Sequence, residues 1–319
     1  MTGPTRVSVV LGVRGGAGVL AETLDSVLAQ QGVSLELILV VDGGLDASAE
    51  TEVVHYGDRL RVVHRPAEGL TRALIAGCAE AVGEYIARVD AGDRMEPGRL
   101  ARQAEVLDQY PACVWTACAT AVTGPEWEPL GVSCGRPAGG GEVEPLPADP
   151  ALGLVCDIPH HGSVMFRRAD YLAAGGYRAD FYYGQDWDLW YRLAERGTYY
   201  QIPEVLYSAR LFPHGISMRK WRQQRRIAEC SKGAFVARRL GQDETPFLER
   251  ARAIRPTARA RLGEGLGRLW RGGDGAYFIG EALRRQRHPH ARRYLLDSIR
   301  AAPFQVRAYV RLLQSMMEF

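Results

Sequence analysis

The chain of 319 residues is 46% hydrophobic and 24% charged, enough apolar surface for one large core or two smaller ones. Its six cysteines, Cys78, Cys113, Cys118, Cys134, Cys156 and Cys230, form no CxxC pair and no Cys/His cluster, which excludes a zinc or disulfide framework and suits a reducing compartment. The net charge of +3 conceals a division: residues 1–218 carry 17 Lys/Arg against 28 Asp/Glu, whereas residues 219–319 carry 23 against 9.

Residues 7–13 form a short apolar run that predicts a buried strand. The turn after it, GVRGGAG, places glycines at 12, 15, 16 and 18 rather than as GxGxxG, so a dinucleotide-binding oxidoreductase is not expected. A helix is predicted over 19–30, with Leu20, Leu24, Val27 and Leu28 on one face, and strands over 35–41 and 60–64. A second amphipathic helix is predicted over 70–82 and a further strand over 85–89. Strand, helix, strand, helix implies a parallel α/β sheet with crossover helices, and ligands at the carboxyl ends of its strands. Residues 124–150, rich in Gly, Pro and Glu without periodicity, read as a loop, an edge insertion or a lid. The apolar run after His161 reads as a strand, and DWDLWYRLAERG as a helix with Trp187, Trp190, Leu193 and Ala194 on one stripe. Beyond Arg219 the composition changes to Arg-rich helices, over 221–240, 246–254 and 290–301. The expected division is an acidic working domain over 1–218 and a basic helical extension over 219–319.

The carboxylates cluster at predicted strand ends. Asp42 closes the second strand in LVVDGGLD, where it serves either as a turn residue or as an acceptor for a base or ribose. Asp90 and Asp93 follow the strand YIARV, and a pair of acidic side chains there suits Mg²⁺ or Mn²⁺ with positions left for a diphosphate. Asp93 can equally help the next helix begin. Asp186 and Asp188 open the DWDLWYRLAERG helix, where either stabilises the helix dipole, while a carboxylate at such a cleft can also act as general base. His160 and His161 precede their strand as satisfied polar groups or as acceptor-orienting residues. Arg72 and Arg88 offer charge for a phosphate, although Arg88 can instead pair with a neighbouring carboxylate.

Together these segments resemble the GT-A fold glycosyltransferases of family 2, over about residues 6–218. VSVVLGVRGGAGVLAETLDSVLAQ resembles their first strand and helix, and ELILVVDGGLDAS the strand ending in Asp-Gly. EGLTRALIAGCAEAVGEYIARVDAGDRMEPGRLARQ is similar to the run through their DxD motif, and HHGSVMFRRADYLAAGGYRADFYYGQDWDLWYRLAERG to the acceptor-side strand and Glu-Asp helix. The resemblance implies an inverting hexosyl or hexosaminyl transfer from a nucleotide-sugar, of the UDP type, to a hydroxyl on a glycan, lipid carrier or natural product. It implies Asp186 as general base, Asp42 at the nucleotide base and Asp90 at the ribose and a Mn²⁺ or Mg²⁺ ion; Asp93 is the nearest second carboxylate for that ion, and Arg72 and Arg88 lie near the expected donor cleft. His161, Gln185 and Trp187 fall on the acceptor side.

Three positions differ from the family pattern. Gly92 stands where the second DxD aspartate is usual, Gln185 replaces the Glu before the catalytic Asp, and Phe212 replaces a His near the diphosphate, with His214 two residues later. Metal dependence is therefore left open, as are a peptide or protein acceptor and a noncatalytic nucleotide-sugar-binding role. No secretory leader and no run of about 18 apolar residues is evident, so a cytoplasmic location is expected. The basic extension suggests either a contact with an anionic inner leaflet or packing on the domain or on a second copy. No nucleic-acid motif accompanies the charge.

Overall fold

The computed structural model describes residues 6–16, 18–134, 148–149, 153–154, 159–213, 221–255 and 273–317. Strands β1 (Val7–Gly15), β2 (Leu35–Leu45), β3 (Arg61–Arg65) and β4 (Tyr85–Asp90) alternate with helices α1 (Leu20–Leu28), α2 (Ala47–Tyr56) and α3 (Leu70–Glu80). β1 lies between β2 and β4, parallel to both, and β3 extends the parallel set beyond β2. β1, β2 and β4 are mostly apolar and buried because both faces are covered, while the edge strand β3 is largely exposed. Val9 and Leu11 point into one core with Leu20, Leu24 and Val27, while Val10, Ile38 and Val40 point into the other with Ala73, Leu74 and Cys78 of α3.

After β4 the chain forms β5 (Arg94–Met95), α4 (Arg99–Gln109), β6 (Cys113–Thr123) and β7 (Pro129–Ser133). The sheet order is β3-β2-β1-β4-β10-β6-β11-β5, with β7 paired to β6, where β10 is Val164–Arg167 and β11 Thr198–Arg210. β10 runs antiparallel to both β4 and β6, so the second half of the sheet is of mixed direction. Of the segment 124–150, expected to be a loop or a partly ordered edge insertion, residues 129–133 form a strand on β6. Residues 135–147 and 150 lie outside the described residues, and 148–149 and 153–154 pair as the short strands β8 and β9.

Helices α5 (Arg168–Ala173) and α6 (Gln185–Ala194) follow β10. α6 is anchored by Trp190, fully buried and stacked on Trp115 of β6 at 4.3 Å between ring centroids and 4° between planes. Two further helices, α7 (Trp221–Arg239) and α8 (Thr245–Ala253), bring Ile227, Cys230 and Ala251 against Phe181. Arg238 pairs with Glu195 at 3.1 Å, Arg178 with Glu244 at 3.0 Å, and Arg252 with Asp180.

The chain divides into two compact units that interleave in sequence. The first comprises the described residues of 1–120, 133–209 and 225–254; the second, those of 121–132, 210–224 and 255–319. In the second unit α9 (Asp274–Arg285), α10 (Ala291–Ala301) and α11 (Val306–Met317) pack together. Its buried carboxylate, Glu128, accepts from the Tyr294 hydroxyl at 2.8 Å, the Glu126 N–H at 2.8 Å and His290 Nδ1 at 3.0 Å. Among the described residues, no helix is long and apolar enough to cross a membrane.

Candidate active site

β4 delivers Asp90 to the carboxyl edge of the parallel strands and the chain turns at once, the Asp93 N–H donating to the Asp90 carbonyl at 3.1 Å. Gly92 sits in this turn at φ 97°, a region where an L side chain is strained by about 1–2 kcal/mol. Thr23 of α1 holds the turn, accepting from the Gly92 N–H at 3.0 Å and donating to the Asp93 carbonyl at 2.7 Å. The backbone thus favours glycine at 92, and residue 93 carries the second carboxylate.

Tyr207 of β11 ties the pair together. Its hydroxyl donates to Asp93 Oδ2 at 2.7 Å and accepts from the Asp90 N–H at 3.1 Å. Burial, reinforced by Asp93 and Asp90, pushes the phenol well above its usual pKa, so it remains a proton donor. The Arg99 guanidinium lies 4.9 Å over the Tyr207 ring, and Gly162 gives the ring room: a Cβ there would stand 2.0 Å from the hydroxyl oxygen.

Arg88 is fully buried and points inward. It donates to the Val10 and Val89 carbonyls at 2.9 and 3.0 Å and to Asp90 Oδ1 at 2.5 Å. Burial opposes ionisation of Asp90, but the charge and hydrogen bond of Arg88 together with the neighbouring imidazoles outweigh it and hold the carboxyl below its usual range. The short helical turn His161–Ser163 precedes β10, and the antiparallel register of β10 on β4 sets it beside the end of β4. His160 thereby joins Asp90 and Asp93, one ligand atom from each lying within 4.8 Å of the others.

The other histidine turns away. His161 Nε2 meets the Tyr177 hydroxyl at 2.8 Å, and its ring stands edge-on to Trp190. Burial, then Arg88, pushes His161 down to about 3, so it is neutral at any working pH.

Asp186 lies in the first turn of α6, with Oδ1 accepting from the Trp187 N–H at 3.0 Å. Burial raises its carboxyl pKa against the pull of its backbone donors, and the charge of Asp90 adds to the rise. Asp188 is different: it is 1% exposed and accepts from Arg192 at 2.6 and 3.0 Å, so its role is to fix α6. Gln185 is buried in the same turn and Trp187 is half-buried beside Gly184.

Asp42 follows the apolar stretch of β2 but does not end the strand, which continues to Leu45. Its carboxylate accepts from the Glu68 and Gly69 N–H groups at 2.7 and 3.0 Å and pairs with Arg14 at 2.8 Å. These contacts tie the turn that leads into α3 to β2. Arg72 is exposed on α3, 3.6 Å from Glu68, and no described contact joins it to the Asp90 cluster. Phe212 lies under the Arg210 guanidinium at 5.3 Å, while His214 lies outside the described residues.

Two carboxylates and an imidazole form a donor set that fits a divalent cation, and the nitrogen favours Mn²⁺ over Mg²⁺. His160 Nδ1 accepts from the Gly162 N–H at 3.2 Å. A cation at Nδ1 displaces that contact, and one at Nε2 moves the ring proton to Nδ1, facing another donor. Either way His160 binds metal only by giving up this hydrogen bond.

A carboxylate of raised pKa beside a carboxylate pair at the sheet edge matches sugar-transfer chemistry, and comparison with known proteins agrees. The profile described as Glycosyl transferase family 2 matches residues 8–170. The chain belongs to that family. A Bacillus subtilis (strain 168) protein named as a glycosyltransferase, EpsE, is 31% identical over 218 residues, covering 66% of this chain and 74% of its own. Among solved structures, S. aureus TarS superposes with a TM-score of 0.53 at 14% identity, covering 98% of this chain and 54% of that one. The mannosyltransferase PcManGT from Pyrobaculum calidifontis, in complex with GDP-Man and Mn²⁺, gives 0.53 at 15% identity, covering all of this chain and 82% of that one. This chain is therefore a glycosyltransferase with a GT-A fold.

Sequence reasoning about this glycosyltransferase missed Tyr207 and passed over His160 as a ligand. Tyr207 carried no motif. His160 had one signal, its place just before a strand that could pair with β4.

Proposed function

We propose that this glycosyltransferase moves a hexose or hexosamine from a nucleoside-diphosphate sugar, of the UDP type, to an acceptor hydroxyl on a glycan, lipid carrier or small natural product. The observation that carries the reading is Asp186: a carboxylate whose pKa burial raises, within the field of Asp90, at the head of a helix locked by Trp190. Asp186 accepts the acceptor's hydroxyl proton as the oxygen attacks the anomeric carbon. The bond to the diphosphate breaks on the opposite face, which inverts the centre. A raised pKa makes the carboxylate a stronger base, and its first-turn position keeps it ionised enough to act.

Asp90, Asp93 and His160 would hold a Mn²⁺ ion, whose chemistry is neutralisation of charge on the departing diphosphate. Arg88 acts through Asp90, keeping it ionised and aimed, while Asp42 and Gly69 shape the wall where a base would lie. A solved form of TarS holds UDP and PcManGT holds GDP-Man, which supports a nucleotide-sugar donor for this chain without choosing the base.

The test is a thermal-shift and hydrolysis panel of UDP-, GDP- and dTDP-sugars with and without Mn²⁺, on wild type and Asp186→Asn. One donor should stabilise both proteins, and slow hydrolysis should fall by about 10²-fold or more in the variant. Equal hydrolysis by the two proteins would remove Asp186 as the base, and binding of none of the donors would remove the nucleotide-sugar reading.

A further inference from the structure

Helix α11 presents its apolar stripe outward. Val306, Val310, Leu313 and Met317 recur at i, i+4, i+7 and i+11, and Tyr309 and Met316 widen the stripe. Val306 is 70% exposed, Leu313 62% and Met317 87%. The inward side is made of the small buried residues Ala308 and Ser315 with Leu312 half-buried between them, and the Ser315 carbonyl accepts from Arg292 at 2.9 Å. An amphipathic helix serving only its own bundle would bury the large residues and expose the small ones. A contiguous apolar stripe in water marks an interaction surface.

Charge selects what covers it. Residues 273–317 hold eight arginines and no lysine against three acidic residues. Arg307 and Arg311, one turn apart, border the stripe on one side, fixed there by Asp274 and Glu281. Arg285, Arg293 and Arg300 are each more than half exposed elsewhere in the same bundle. A second copy seated on this face would bring like charge against like. An anionic bilayer complements both features at once, taking the apolar side chains at the acyl boundary and the guanidinium groups at the phosphates.

We propose that α11 is an interfacial anchor that lies flat on an anionic membrane surface. The proposal goes beyond the transfer reaction and does not depend on it. The full-length protein is to be sedimented with vesicles of phosphatidylglycerol and phosphatidylcholine, and with phosphatidylcholine alone, at low and high salt. Wild type should bind the anionic vesicles at low salt, bind them less at high salt, and bind neutral vesicles weakly. Val310→Glu/Leu313→Glu should weaken anionic binding about tenfold or more, with unchanged helical circular dichroism. Met317→Glu, at the most exposed position, gives the same reading with the smallest risk to folding. No binding of wild type to anionic vesicles at low salt overturns the proposal, as does equal binding by the variants. A wild-type dimer by light scattering that Leu313→Glu converts to monomer also overturns it, and assigns the face to a second copy.

Discussion

Asp186 is held in a state that the fold disfavours and the reaction uses. Because burial raises its pKa, ionisation is harder in the folded protein than in the unfolded chain, so the ionised form costs stability at neutral pH. Asp186→Asn keeps an acceptor for the Trp187 N–H and removes the charge. We expect its Tm to exceed that of wild type by a few degrees at neutral pH, the gain shrinking as pH falls through the raised pKa of Asp186. Thermal melts from neutral pH down to about 4 check this. For the same reason the acid limb of kcat/KM should fall above the ordinary aspartate value of about 3.9. Tyr207 supports the opposite wall. In Tyr207→Phe the ring and its packing on Gly162 survive while the hydroxyl that links Asp93 to the Asp90 N–H is lost. We expect the Mn²⁺ concentration for half-maximal activity to rise about 10-fold to 100-fold with little change in fold, measured by metal titration and circular dichroism.

At the scale of elements, the site depends on one antiparallel strand laid beside four parallel ones. β1 to β4 could be read from sequence because each centres on β-branched or other apolar residues bounded by polar or glycine residues, and Asp42 and Asp90 stood out as acidic residues following such stretches. β6 and β11 were not legible: CVWTACATAVT mixes small and polar residues, and Pro203 interrupts the pattern of β11. With β11 unread, Tyr207 had no place, and without the antiparallel register of β10 His160 could not be set beside Asp90. His160 stands 70 residues from Asp90 and Tyr207 stands 114 from Asp93, beyond the reach of periodicity. The turn before β10 is consequently sensitive. Gly162→Ala should displace either Tyr207 or His160, lowering kcat by about 10²-fold. It should also destabilise the fold by about 1–3 kcal/mol, as read by chemical denaturation.

Over the whole molecule, the division of charge near residue 218 and the division into compact units do not coincide. Helices α7 and α8 are basic in sequence yet belong with the first unit, where Arg238 and Arg252 meet Glu195 and Asp180, so part of the charge asymmetry is internal complement. Composition registers net charge and is blind to such pairing. The second unit has its own keystone in Glu128. Burial opposes its ionisation, but His290, with the backbone and Tyr294 donors, outweighs it and lowers the pKa. A lowered pKa gives stability that is present at neutral pH and lost as pH falls through the folded value. Glu128→Gln should therefore destabilise this unit by about 1–3 kcal/mol at neutral pH and by less in acid, read by hydrogen exchange in α10.

The stacked pair of Trp115 and Trp190 carries a practical consequence. Trp190 shares a helix with Asp186, while Trp115 belongs to the sheet. At 4.3 Å and with nearly parallel planes, the two indoles couple their ultraviolet transitions, and the coupling falls steeply as they separate and changes as they tilt. The near-ultraviolet circular dichroism of the unlabelled enzyme is thus a gauge of where the helix bearing the base sits, and a donor that shifts that helix would write its own optical signal.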